Sequence, residues 1–210
     1  MLTGRKLELV VNVRSGRKVS LLRPALFKGK QYKVDVRNFI TDSDAVIHKI
    51  VDENELSVHT GSTVHFDKTM KKCWEWVRDN LTYTYDMLDE TKIDFWQLPG
   101  VTVQHKQEDC DSMATVLASL AMCAGIPYYR IQVALGHVGK DPKAPSGAHA
   151  YVLFLNESGK WETWESTSKT TGYKGITNEL LGNSWYIDIY NTFNLKHCFK
   201  HTKLVDYANN

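Results

Sequence analysis

The stretch Gln107-Glu108-Asp109-Cys110-Asp111-Ser112-Met113-Ala114, continued by Thr115 to Ala124 and stopped by Gly125-Ile126-Pro127, decides the reading of this chain. Asp109 or Asp111 is suited to cap a helix, and Met113, Ala114, Val116, Leu117, Ala118, Leu120, Ala121 and Met122 make that helix apolar on nearly every side. Gly125 and Pro127 supply the stop. A helix of this composition is expected at the centre of the core. Its polar first turn carries a cysteine, where unpaired N–H groups and the positive end of the helix dipole favour a thiolate. Cys110 is therefore a candidate nucleophile. Cys123, at the apolar end of the same pattern, reads as an ordinary core thiol.

Around this helix, the 210 residues are enough to bury a core without covalent staples. The balance of 26 basic against 24 acidic residues, net +2, gives no field strong enough to select nucleic acid or an anionic membrane. The four cysteines, at 73, 110, 123 and 198, form no C-x-x-C pair, so neither a zinc ribbon nor a secreted disulfide framework is expected. No apolar run follows Met1-Leu2-Thr3-Gly4 and none approaches a membrane span. A cytoplasmic protein is the expectation, with a virion component also compatible; oligomeric state is not readable.

Upstream, Lys6 to Val13 alternates and is followed after Arg14-Ser15-Gly16-Arg17 by Lys18 to Leu22, a hairpin pattern. Gln31 to Val36 reads as a third strand, and Asp42-Ser43-Asp44 as the cap of a short helix. Residues 1–60 are taken as an N-terminal segment of unassigned role and 61–210 as the main domain. Asp67 to Asp79 has Met70, Cys73, Trp74 and Val77 at helical spacing. A long aromatic loop through Phe95 and Pro99 then leads to Cys110, and Trp96 and Gln97 on it are expected at a binding cleft. Beyond the central helix, Tyr128 to Gly136, Ala148 to Leu155, Lys160 to Glu165 and Ser184 to Tyr190 read as strands. The sum is an α+β fold with the nucleophile helix packed on antiparallel sheet.

A strand beginning at His149 and a hairpin partner ending at Glu165 bring these two side chains to one end of the sheet. Thiolate, imidazole and carboxylate are the set that attacks a carbonyl, shuttles a proton and orients the shuttle. Glu165 is preferred over Glu162, which points to the other face of a regular strand, and over Asp188; the expected bond to His149 runs through Nδ1–H. His197 and His201, at i, i+4 spacing around Cys198, would share a face if helical, which opens a weaker metal-site reading.

Asp109-Cys110-Asp111-Ser112-Met113-Ala114, Ala148-His149-Ala150-Tyr151-Val152 and Trp161 to Thr167 resemble the transglutaminase-like superfamily of papain-like cysteine enzymes. Tyr83-x-Tyr85-Asp86 and Phe95 to Pro99 are similar to its bacterial transglutaminase-like cysteine proteinase branch. The resemblance covers about residues 66 to 170. It implies a Cys–His–carboxylate triad that cleaves or exchanges peptide or isopeptide bonds through a thioester, carried here onto Cys110, His149 and Glu165. It departs from the family pattern at Glu108, commonly glycine, and at Glu165-Ser166-Thr167, commonly Asp-Pro-Thr. From the papain-like resemblance, the oxyanion donor is expected to be the Cys110 backbone N–H with Gln104, or secondly Gln97. No cofactor is required; the branch resemblance raises Ca2+ held by Asp109 and Asp111. The implied partner is a protein or peptide substrate, with transglutaminase-type acyl transfer or a non-catalytic structural or peptide-binding role as the alternatives.

Overall fold

The computed structural model describes residues 17–27, 30–84, 95–182 and 185–201. The expected strand at Lys6 to Val13 lies outside them. In chain order the elements are strands β1 (Arg17–Lys18), β2 (Leu22–Phe27) and β3 (Lys30–Asp35), a 3-10 turn at Val36–Phe39, then helix α1 (Ala45–Glu53), β4 (His59–Thr60), β5 (Thr63–Val64) and helix α2 (Phe66–Asn80). There follow β6 (Thr82–Tyr83), helix α3 (Pro99–His105), β7 (Gln107–Glu108) and the central helix α4 (Cys110–Cys123). The second half carries β8 (Ile131–Val138), β9 (Gly147–Leu155), β10 (Trp161–Trp164), β11 (Tyr173–Ile176), the single-turn α5 (Thr177–Leu180), β12 (Asn191–Phe193) and β13 (Cys198–Lys200). Among the described residues, seven strands form one antiparallel sheet in the order β1-β13-β12-β8-β9-β10-β11.

Helix α4 forms because Asp109 caps it, its carboxylate accepting the Asp111 N–H at 3.2 Å. It ends at Gly125, whose φ of 101° is costly for any residue with a Cβ. Every side chain from Asp111 to Met122 is buried. Its buried hydroxyls need partners and find them on the helix itself: Thr115 donates to the Ser112 carbonyl at 3.0 Å and Ser119 to that of Thr115 at 2.7 Å. One side of α4 packs on β8 and β9 through Ile131, Val133, Leu135, Ala150, Val152 and Phe154, which alternate toward it, and the others meet α1, α2 and α3. Val36, Phe39, Ile47, Ile50 and Val51 from the N-terminal part enter this same core. The opposite face of the sheet is covered by a smaller cluster around Ala134, Tyr151, Leu153, Tyr186 and Ile189.

Several elements differ from their sequence reading. Lys18 to Leu22 is not one continuous strand: Arg17–Lys18 pairs with β13, Leu22 begins β2, and β2 and β3 form a hairpin, while the expected partner at Lys6 to Val13 lies outside the described residues. The approach to Cys110 is not all loop, since Pro99 at the first position nucleates α3 and Lys106 in the left-handed region ends it. Strand β8 continues through Gly136 to Val138. Residues 185–190 are not a strand; they follow β8 with separate bonds from Ile187 N–H to the His137 carbonyl and from Tyr190 N–H to that of Leu135, both 2.9 Å. Between them the Asp188 carboxylate, not a backbone carbonyl, accepts the His137 N–H at 2.9 Å, which breaks the ladder. The 197–201 segment is a strand region and not a helix, so His197 and His201 do not form the expected helical pair. His201 instead meets the Thr192 hydroxyl at 2.8 Å, and burial lowers its pKa to about 4.

Leu117, fully buried in the middle of α4, cannot be truncated without leaving a cavity between helices and sheet. Leu117→Ala should lower unfolding free energy by about 3 kcal/mol, read by chemical denaturation.

Candidate active site

Strand β9 outruns its neighbour. The β9–β10 ladder ends at Val152 opposite Trp164, while β9 extends back to Gly147. The first turn of α4 sits against this uncovered stretch, with Cys110 at the first helical position and the Ala150 backbone N–H directed at its sulfur. The residue before Ala150 is His149. The residue after Trp164, where β10 stops, is Glu165, and His149 Nε2 lies 2.8 Å from Glu165 Oε2. A carboxylate only accepts, so this bond fixes the neutral ring as the Nε2–H tautomer and leaves Nδ1 as its acceptor nitrogen. The expected bond through Nδ1–H is thus corrected to Nε2.

Glu165 is 6% exposed and its carboxylate is saturated. Oε2 accepts from His149 and from the Tyr186 hydroxyl at 3.0 Å; Oε1 accepts the Thr167 hydroxyl at 2.8 Å and the Thr167 N–H at 3.2 Å. Its own carbonyl takes the Trp74 indole N–H at 2.9 Å. Burial pushes the carboxyl up, but the hydrogen bond and charge of His149 and the two Thr167 donors outweigh it and hold the group below its ordinary 4.5. Glu162 is used elsewhere, bonded to Asn156 Nδ2 at 2.8 Å and Trp164 Nε1 at 3.0 Å. Asp188 is committed to His137, with Nδ1 at 2.8 Å.

The thiol departs from expectation. Burial, then the charges of Asp109 and Asp111, push Cys110 well above the ordinary thiol range, against the opposing pull of the Ala150 N–H. The helix terminus does not offset these effects, which favour the neutral thiol. The other cysteines are also pushed up by burial, Cys198 to about 11 and Cys123 to about 12, and Cys73 further within the core.

Of the remaining candidates, Trp96 is not a cleft residue. It is 3% exposed, wedged between Phe39 at 5.3 Å and Phe193 at 5.8 Å, with its backbone N–H on the Pro24 carbonyl at 2.9 Å. Gln97, the next residue, is tied to the nucleophile helix by its N–H on the Ser112 hydroxyl at 3.3 Å, and its side-chain oxygen is buried with no hydrogen-bond partner. Gln104 lies exposed on α3. Asp109 is occupied in capping and Asp111 accepts from the Ser112 hydroxyl at 3.2 Å. No group of three or more metal-ligating side chains occurs among the described residues. Sequence reasoning gave no role to Tyr186 or Thr167; Thr167 ends the Trp161 to Thr167 motif, whereas Tyr186 sits unmarked in an alternating run.

No family model and no curated protein matches the sequence. Solved structures do match. Calcium-bound LapG of Legionella pneumophila superposes with a TM-score of 0.55 at 13% identity, over 74% of this chain and 76% of that one. A second LapG structure from the same organism gives 0.54 at 11% identity over 78% and 90%, and an EGTA-treated one 0.55 at 11% over 75% and 84%. The chain has the transglutaminase-like fold. It is a mixed helix and antiparallel-sheet molecule of that class, and no helix among the described residues is long and apolar enough to cross a membrane.

The depressed Glu165 carboxyl links the site to stability. A group held below its unfolded value stabilises the fold fully above that value, near 4.5, and loses the contribution as pH falls through the folded one. Acid unfolding followed from pH 6 downward should therefore steepen below pH 4.5 in the wild type, and Glu165→Gln should remove that part of the pH dependence.

Proposed function

We propose that this chain is a cysteine hydrolase of peptide or isopeptide bonds, with Cys110 as nucleophile, His149 as proton carrier and Glu165 as the group that orients and supports the imidazole. One observation carries the reading: His149 is bonded at 2.8 Å to a buried carboxylate while the N–H of the very next residue points at a thiol on a helix start. The fold shared with LapG adds that this arrangement sits in a transglutaminase-like scaffold, though fold alone does not choose a chemistry.

In this reading His149 Nδ1 takes the Cys110 proton as the sulfur attacks the substrate carbonyl. The resulting oxyanion is held by the Cys110 backbone N–H, which as a first-turn donor has no partner within its own helix, and by a side-chain amide, for which Gln97, tied to α4 through its backbone N–H, is preferred to the exposed Gln104. Collapse breaks the C–N bond, the amine leaves with the proton from His149, and a thioester remains. Water, deprotonated by His149, then attacks the thioester and frees the acid and the thiol. An amine in place of water would give an amide, which is the acyl-transfer alternative. The negative charge of Glu165 stabilises the imidazolium formed in each half.

One of the LapG structures is calcium-bound. Here Asp109 and Asp111 are hard oxygen donors, but one caps its own helix and the other is bonded by Ser112, so the described residues do not by themselves fit a calcium shell. No step is derived through such an ion.

Turnover of a peptide-library substrate should be lost in Cys110→Ala and His149→Ala, and should fall by about a thousandfold or more in folded Glu165→Gln, with Glu162→Gln near wild type. Wild-type turnover in Cys110→Ala sinks the proposal. Mass spectrometry of products with and without excess lysine-like amine separates hydrolysis from acyl transfer. For the oxyanion site, Gln97→Ala should cost roughly a hundredfold in kcat and Gln104→Ala little; the reverse order returns the role to Gln104.

A further inference from the structure

The Tyr186 hydroxyl takes no part in the reaction just described, yet it ends on the same oxygen as the imidazole. It donates to Glu165 Oε2 at 3.0 Å, alongside His149 Nε2 at 2.8 Å. Its ring is buried and packs edge-on against Tyr151 at 4.8 Å, and Tyr151 in turn stacks on the His149 ring at 6.2 Å. Both rings that face Glu165 are thus braced by one aromatic side chain.

The placement of Tyr186 is built into the sheet. Gly136 stands directly opposite His149 in the β8–β9 register, and a Cβ there would collide with the Asp188 carbonyl oxygen. Only a glycine lets the 185–190 segment lie this close to the strand that faces the histidine. Asp188 then pins the segment, accepting both the backbone N–H and Nδ1 of His137 at 2.9 and 2.8 Å. On the other side of Asp188 the Ile187 N–H bonds the His137 carbonyl, and Tyr186 bridges Val138.

We infer that Tyr186 is a positioning residue of the Cys110 site: by sharing Glu165 Oε2 with His149 it fixes the carboxylate and limits how tightly that carboxylate holds the imidazolium. The inference rests on the proposed roles of Cys110, His149 and Glu165. An acceptor oxygen divided between two donors binds each less strongly than one donor alone, and the phenol withdraws charge from the oxygen that faces the ring. With the hydroxyl gone, Glu165 holds the imidazolium undivided, so His149 stays protonated to higher pH and is less available as a base for the neutral Cys110 thiol. Tyr186 itself stays protonated, because burial and the Glu165 charge push its hydroxyl far above the ordinary range.

The test uses the full chain and two replacements, Tyr186→Phe and 3-fluorotyrosine at 186, the second keeping the ring and making the hydroxyl a stronger donor. NMR titration of the His149 imidazole, in a Cys110→Ala background, should show the midpoint moving up by about half a pH unit or more in Tyr186→Phe and down with fluorotyrosine. In the Cys110 enzyme, Tyr186→Phe should lower kcat roughly tenfold with KM unchanged and carry the acid limb of kcat/KM upward. Unmoved midpoints, or a midpoint that moves the same way in both replacements, overturn the inference; if Tyr186→Phe does not fold, the fluorotyrosine midpoint alone decides. Because the titration needs no turnover, loss of the hydrolase reading would appear as activity in Cys110→Ala and not as a failed shift.

Discussion

An anion buried in a protein must be compensated from every side, and the Glu165 carboxylate is the place where this chain meets that demand. An unpaired buried carboxylate would cost several kcal/mol. Here its two oxygens receive four hydrogen bonds, from His149 on β9, from Tyr186 on the segment beside β8, and from the hydroxyl and N–H of Thr167 in the turn after β10. The donors come from three separate parts of the chain, so the strand registers and the close approach at Gly136 must all be correct at once. The core helix adds the remaining constraint, since burying α4 along its whole length fixes where its first turn, and hence Cys110, meets β9.

The same arrangement explains why a sheet end, and not a sheet face, carries the candidate chemistry. Inside the sheet the β8 and β9 side chains alternate between the two cores. Where β10 stops and β9 continues, among the described residues no strand pairs that side of β9, and there His149 meets Glu165 while the Ala150 N–H reaches the Cys110 sulfur at the start of α4. Tyr186 of the smaller cluster bonds the Glu165 carboxylate and Tyr151 stacks on His149, and the low exposure of the carboxylate strengthens its bond to the imidazole.

The parts of this design legible in the sequence were those with local periodic or capping signals. Asp109 followed by an apolar run marked α4, and the parity of Glu162 and Glu165 along one strand distinguished the residue that meets His149 from the one that meets Asn156. Long-range competition hid the rest. Trp96 looked like a cleft residue because aromatic loops often are, but the β2 backbone and two phenylalanine rings enclose it. Helix α3 is only two turns long and its pattern is short. Residues 185–190 alternate as a strand would, yet Asp188 captures the His137 N–H that a strand would have paired through its backbone, and nothing local announces that capture. The thiol shows the same lesson in electrostatics: the helix terminus was visible in the sequence, whereas the burial that outweighs it was not.

That resting state of Cys110 has a consequence for durability. Thiolates attack peroxide and disulfides far faster than thiols do, so a Cys110 thiol held toward its neutral form by burial and by Asp109 and Asp111 reacts slowly with either. In the proposed reaction, His149 removes that proton only when a substrate carbonyl is seated beside the sulfur, so reactivity arises only in company.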